Sequence, residues 1–291
     1  MFKIIFIIFF LILSIIVLFN QKTQPANLLF KSGFEKGVSL SKVERKDSPI
    51  WWQSLKGSDN KEFSWPINLQ GKDGLFQMIT NNNNISSYME NSLLDMIGID
   101  GKPSRVLQQT IKKKENEWSQ DPYVVYTGDQ EQKKIYLRYS LKFPKNLSEQ
   151  LGADGWLTFC EYKTASDYRL AFYIYCDKNK KLYWYVHGDN VVLDDRPYKE
   201  FWFQENLTDI NAGEWMDIEL YWNRSEKNDG QVWMAVDGKV IFNYEGKTKL
   251  KEPIHMMMLF TNYANVPLKQ WVDNIEIWSD FPCGEGKSCH N

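Results

Sequence analysis

Apolar and polar residues alternate along most of this chain, most regularly in EYKTASDYRLAFYIYCDKNKKLYWYVHGDN, residues 161–190. Side chains of a strand point to opposite faces with period two. The stretch therefore predicts three strands joined by two short turns. In the middle strand Leu170, Phe172, Ile174 and Cys176 share an apolar face, with Arg169, Ala171, Tyr173 and Tyr175 opposite. The next strand turns Leu182, Trp184 and Val186 inward and Tyr183, Tyr185 and His187 outward. The preceding strand adds Glu161 and Lys163 to the polar side. With simple hairpins at both connections, Arg169 lies opposite Lys163, Ala171 between Glu161 and His187, and Tyr173 beside Tyr185. An arginine, a histidine, two tyrosines and a carboxylate then surround one small alanine, the lining of a sugar site or another polar groove.

The period-two pattern recurs elsewhere. An opening strand with turns at Gly33 and Gly37 is expected over 27–40, and strands over 105–112, 134–143, 156–163, 215–223, 231–237, 239–244, 254–262 and 271–278. Asp237-Gly238, flanked by alternating residues, is a strong hairpin signal. Residues 88–97 read as one short helix, NNNNISS (81–87) as a polar loop and KKKENE (112–117) as a solvated charge run. A loop carrying Pro197 and Trp202 follows the third strand of the 161–190 stretch. Strands at ~8–12-residue spacing, with hardly a sustained 3.6 period, predict an all-β sandwich or jelly roll.

Aromatic residues make up 15% of the chain, which suits a sheet-rich protein. The formal charge is −2, with no basic field to attract nucleic acid. This balance also disfavours a polyanionic substrate unless the groove is locally basic. Lys3 followed by an apolar run from Ile4 to Phe19 reads as a secretory signal over residues 1–25. No small-x-small cleavage site follows, Ala26 being the nearest small residue, so a retained membrane anchor is the alternative. The run is nevertheless shorter than the ~20 residues of a comfortable span. Residues 26–291 are expected to form one large domain, acting as a monomer. In an oxidising compartment Cys283 and Cys289 would close the loop CGEGKSC; a metal site with His290 has too few ligands. Cys160 and Cys176 face apolar sides and read as buried free thiols. N-x-S/T sequons stand at Asn84, Asn146, Asn206 and Asn223.

The order W-x-x-I-x-L, the Asp-Gly hairpin and a terminal D-N-I-E-I-W resembles the concanavalin-like jelly roll, a β-sandwich with one curved, concave sheet. Within that fold the chain resembles the polysaccharide lyases related to heparin lyase I and glucuronan lyase. The resemblance is carried by LLFKSGFEKGV (28–38), GSDNKEFSWP (57–66), KKIYLRYSLKFP (133–144), FCEYKTASDYRLAFYIY (159–175) and LYWYVHGDN (182–190). The thumb-like insertion of heparin lyase I has no evident counterpart, which points away from heparin and toward another uronate-rich glycan.

The resemblance implies a secreted enzyme that cleaves an acidic polysaccharide by β-elimination, without a cofactor. Lyases of this fold use His and Tyr for proton transfer and Arg, Asn or Gln at the substrate carboxylate. His187 is then the candidate base, Tyr185 or Tyr173 the acid, and Arg169 the carboxylate clamp. Lys163, Glu161, Asn190, Arg138 and Trp202 are candidates for substrate binding. Plainer readings stand beside these. The tyrosines also make sense as cross-strand pairs, Arg169 and Glu161 as a salt bridge, and Trp202 as cover for the core edge. His255 reads as structural and His290 as an uninvolved tail residue. Asp273 is a candidate ligand for a structural calcium, without a full oxygen set around it. A glycoside hydrolase would need two carboxylates, for which Glu161 and Glu219 are the available pair. A non-catalytic sugar-binding module would use the same aromatics.

Overall fold

Alternation on this scale gives every strand one apolar face to bury, and two sheets facing one another are the simplest way to bury both. The computed structural model describes residues 25–47, 49–113, 121–128, 132–164, 168–190, 199–249 and 255–290, and the expected leader lies outside them. The first sheet runs in the order β17 (Lys239–Gly246), β16 (Gly230–Val236), β15 (Trp215–Asn223), β10 (Lys134–Lys142), β20 (Leu268–Trp278), β8 (Pro103–Ile111) and β7 (Met89–Ile97). β1 (Leu28–Ser32) also pairs with β20. The second sheet runs β14 (Lys199–Asn206), β13 (Leu182–Asn190), β12 (Arg169–Cys176), β11 (Trp156–Thr164), β18 (His255–Leu259), β9 (Tyr123–Thr127), β6 (Leu75–Ile79), β4 (Ile50–Gln53) and β3 (Glu44–Asp47). β19 (Tyr263–Ala264) also pairs with β11. β2 (Val38–Leu40) and β5 (Leu55–Gly57) form a separate ribbon, and α1 (Leu147–Leu151) is one short helix. The fold is an all-β sandwich of jelly-roll type.

The inner faces merge in one apolar cluster. The second sheet contributes Cys160, Tyr162, Leu170, Phe172, Ile174, Cys176, Trp184 and Val186; the first contributes Ile135, Leu137, Tyr139, Leu141, Ile218, Leu220 and Trp222. Tyr162 and Trp222 join the sheets, their ring centroids 4.7 Å apart. The expected buried thiols are therefore core residues, and both are free. Asp237 and Gly238 both take positive φ, 48° and 77°, as a type I′ hairpin between β16 and β17 requires.

Two expected elements differ. Of the residues 88–97 expected as a helix, Met89–Ile97 form strand β7, paired with β8 from Met89–Ile111 to Ile97–Pro103. Its Met, Glu and Leu residues favour a helix in isolation, but Met89 and Asn91 are buried while Glu90 is exposed, and the ladder overrides that weak preference. The segment FWFQEN belongs to strand β14, which extends the second sheet beyond β13, rather than to a loop.

A small second cluster lies on the outer face of the first sheet. Tyr136, Tyr221, Trp233 and Ala235 are covered there by Phe281 from the C-terminal tail, with Trp278 and Cys289 packed against them. Cys283 and Cys289 are disulfide-bonded, closing the tail loop.

Candidate active site

With the apolar residues of β11, β12 and β13 turned into the core, the alternate residues stand in rows across the outer face of the second sheet. The expected hairpin register is the observed one. Met258, Glu161, Ala171, His187 and Phe203 are cross-strand neighbours in one row over β18, β11, β12, β13 and β14. On one side lies the row Lys163, Arg169 and Asp189; on the other, Thr158, Tyr173, Tyr185 and Glu205. His187, Tyr185, Tyr173, Arg169, Lys163 and Glu161 are thus brought to one place.

Side chains on the solvent side of an open sheet are ordinarily exposed. Here Glu161 is 3% exposed, His187 7% and Asp189 0%, so the face is recessed where the polar cluster sits. Arg169 grips Asp189 with both arms of its fork, Nη2 to Oδ2 at 2.7 Å and Nε to Oδ1 at 3.3 Å. Its Nε also lies 3.8 Å from Glu161 Oε1. His187 Nε2 is 3.7 Å from Asp189 Oδ2. The imidazole stands edge-on to Tyr173 and Tyr185, at centroid distances of 5.2 and 5.8 Å. The two tyrosine rings lie 4.5 Å apart, and Tyr185 in turn is parallel to Phe203 at 5.8 Å. Burial pushes the Glu161 carboxyl above its ordinary range, against the lowering effect of Arg169 and Lys163. Ala171, between Glu161 and His187, is itself 2% exposed, and its single methyl adds little bulk between them.

β13 holds this position partly through Gly188. A methyl there would overlap the Tyr168 hydroxyl and the Trp202 indole. Its absence lets Trp202 pack against the core side of the strand, stacked on Tyr244 at 4.2 Å. Trp202 therefore covers the core edge and does not face the polar cluster. Its neighbour Phe203 does, and is 55% exposed.

Arg138 is not in this site. It lies on the outer face of the first sheet, with Nη2 2.6 Å from Asp217 Oδ2. Glu219 is on that same face, fully buried beneath the C-terminal tail, so Glu161 and Glu219 are separated by the whole sandwich and cannot flank one bond. Asn190 ends β13, and His255 begins β18; both side chains lie outside the described residues. His290 is not an idle tail residue, since its Nδ1 is 3.0 Å from Asp217 Oδ2. Asp273 Oδ2 accepts from Ser104 Oγ at 2.7 Å and Oδ1 from Asn274 N at 2.8 Å. Burial pushes its carboxyl up to about 6, and no metal-binding group of three or more His, Cys, Asp or Glu forms among the described residues.

Sequence reasoning missed Asp189 and Phe203. Extending the alternation Tyr183, Tyr185, His187 by one step reaches Asp189, not Asn190. Reading β14 as a strand places Phe203, not Trp202, on the outer face.

No family model and no curated protein matches the chain. Solved structures do. The endo-β-1,4-glucuronan lyase of the fungus Trichoderma reesei is 11% identical with a TM-score of 0.46, over 65% of this chain and 87% of that one. Alginate lyase Aly36B is 13% identical with a TM-score of 0.43, over 65% and 86%. The binding domain of botulinum neurotoxin DC, in complex with rat synaptotagmin II, is 11% identical with a TM-score of 0.43, over 78% and 48%.

Proposed function

We propose that this protein is a polysaccharide lyase that cleaves a uronic-acid-containing polymer by β-elimination on the recessed face of the second sheet. The observation that carries the reading is the His187 imidazole set among two tyrosines and the Arg169–Asp189 pair. Elimination removes the proton on C5 of a uronate, breaks the C4–O bond, and leaves a C4=C5 double bond and a protonated leaving hydroxyl. It needs a base that is neutral near working pH, an acid for the leaving oxygen, and positive charge at the substrate carboxylate as enolate character develops. His187 is the base. Tyr185 or Tyr173, either beside the imidazole, returns a proton to the leaving oxygen. Asp189 is a positioning residue that fixes Arg169 and orients the imidazole. Lys163 supplies positive charge beside the groove, and Arg169, whose charge is shared with Asp189, lies opposite it.

A hydrolase built on Glu161 and Asp189 is less well supported. Asp189 is fully buried with both oxygens held by Arg169, a poor arrangement for a nucleophile or for a base activating water. We further infer that the protein works outside the cytosol, a reading supported by the signal-like leader and the Cys283–Cys289 bond.

The test is product analysis with glucuronan, alginate, heparin and chondroitin. Elimination creates a conjugated double bond and ultraviolet absorbance in step with new reducing ends. Reducing ends without absorbance indicate hydrolysis, and binding without either indicates a sugar-binding module; both results overturn the proposal.

A further inference from the structure

The C-terminal tail builds a second polar pocket on the opposite side of the molecule. Arg138 Nε donates to both oxygens of Asp217 at 3.0 Å, and Nη2 reaches Oδ2 at 2.6 Å. The disulfide loop crosses β15, where Cys289 N donates to Glu219 Oε2 at 2.6 Å and Ser288 Oγ donates to Oε1. This anchorage delivers His290 to Asp217. On the other side of Arg138, β20 bulges against β10. Asn274 in that bulge takes a left-handed φ of 50° and points its amide toward Ser140 Oγ, 3.4 Å away. Bulges and left-handed non-glycine residues re-aim side chains and concentrate at functional sites. The result is a cavity of about 490 Å³ lined by Arg138, Asp217, His290, Ser140, Asn274 and Ile99, with the Lys31–Glu276 pair at 2.7 Å also in its wall.

Its size is that of a small-ligand site. Its charges indicate the ligand class. Asp217 is already matched by Arg138 and in contact with the His290 imidazole, Glu276 is matched by Lys31, and Asp100, also in the wall, pairs with Lys102 at 3.4 Å, so neither a carboxylate nor a cation finds an unopposed partner there. What the lining offers is fixed donors and acceptors close together: the guanidinium–carboxylate fork, the imidazole, a hydroxyl and an amide. Beside them is an apolar patch from Ile99, which is 39% exposed. Neighbouring hydroxyls of a pyranose, each both donor and acceptor, match such a fork, and the C–H face of the ring matches the apolar patch.

We propose that this pocket binds a neutral sugar residue, making a second carbohydrate site on the face opposite the polar groove. The inference stands whether or not the groove is catalytic. The test uses the full chain, with ligand-observed NMR and titration calorimetry on glucose, galactose, mannose and cellobiose, and with glucuronate and galacturonate alongside. Two variants probe the pocket. His290→Ala alters an exposed tail residue, and Ile99→Arg places a bulky charge on the apolar patch without touching the core. The expected result is binding of at least one neutral sugar, weakened about tenfold or more in both variants. No neutral-sugar binding up to about 10 mM, equal binding by wild type and both variants, or preference for the uronates in this pocket would each overturn it.

Discussion

Asp121 lies between the sheets at a cost that can be measured. It is fully buried, and its Oδ1 accepts from Asn91 Nδ2 at 3.3 Å. Asn91 also reaches across to Gln53 of the facing sheet, at 3.1 Å. Asp121 Oδ2 has no partner among the described residues, and neither do the side-chain oxygens of Asn91, Asn262 and Gln270. Burial pushes the Asp121 carboxyl from 3.8 up to about 7, with Asn91 and Gln109 only partly opposing it. The folded state therefore holds this proton more tightly than the unfolded chain. Stability is full below the unfolded value and falls as pH rises toward the folded one. At about 1.4 kcal/mol per unit, the loss by about pH 8 is about 4 kcal/mol. Asp121→Asn keeps the shape, cannot ionise, and puts a donor where Oδ2 now lacks one. Urea unfolding of both proteins should show similar stability at about pH 4 and a gap opening with pH, the variant ahead by about 4 kcal/mol at about pH 8. Other buried acids titrate equally in the two proteins and cancel in the difference. A gap that is constant across this range, or a variant less stable at high pH, would refute the reasoning.

Further outcomes follow from the groove. Phe203→Ala removes an exposed ring, so stability should change by less than about 0.5 kcal/mol, while KM rises up to about tenfold with kcat nearly unchanged. An unchanged KM would remove Phe203 from the substrate path. Gly188→Ala forces a methyl against Tyr168 and Trp202 and should destabilise by about 1–3 kcal/mol. Because His187 and Asp189 flank the glycine, kcat should also fall; loss of stability with full kcat would show that the strand adjusts without moving them.

Much of the groove was legible because the strand period is rigid. Once Leu170, Phe172, Trp184 and Val186 are assigned inward, the opposite faces follow, and short turns fix the register that sets Ala171 between Glu161 and His187. The misreadings arose where local signals and long-range pairing disagree. Met89–Ile97 carries helix-forming residues but is held by a ladder to β8 that no local pattern reveals. With FWFQEN read as a loop, Trp202 fits either a sugar-stacking residue or cover for the core edge; as part of β14 its ring turns inward, the second of these, and its neighbour turns out. Arg138 sits in an alternating strand, and alternation says which face it shares but not which sheet contains it. Likewise, nothing local to the tail shows that a seven-residue loop brings His290 back to Asp217.

The central claim is that His187 takes the proton in an elimination. It is tested most directly by following ultraviolet absorbance on the uronate polymer that wild type cleaves best, with wild type and His187→Ala side by side. The expected result is steady growth with wild type and a rate lower by about 10²-fold or more in the variant, which unfolds at the same urea concentration. Undiminished absorbance growth in His187→Ala would contradict the assignment of the base, and no growth with wild type on any uronate polymer would contradict the elimination itself.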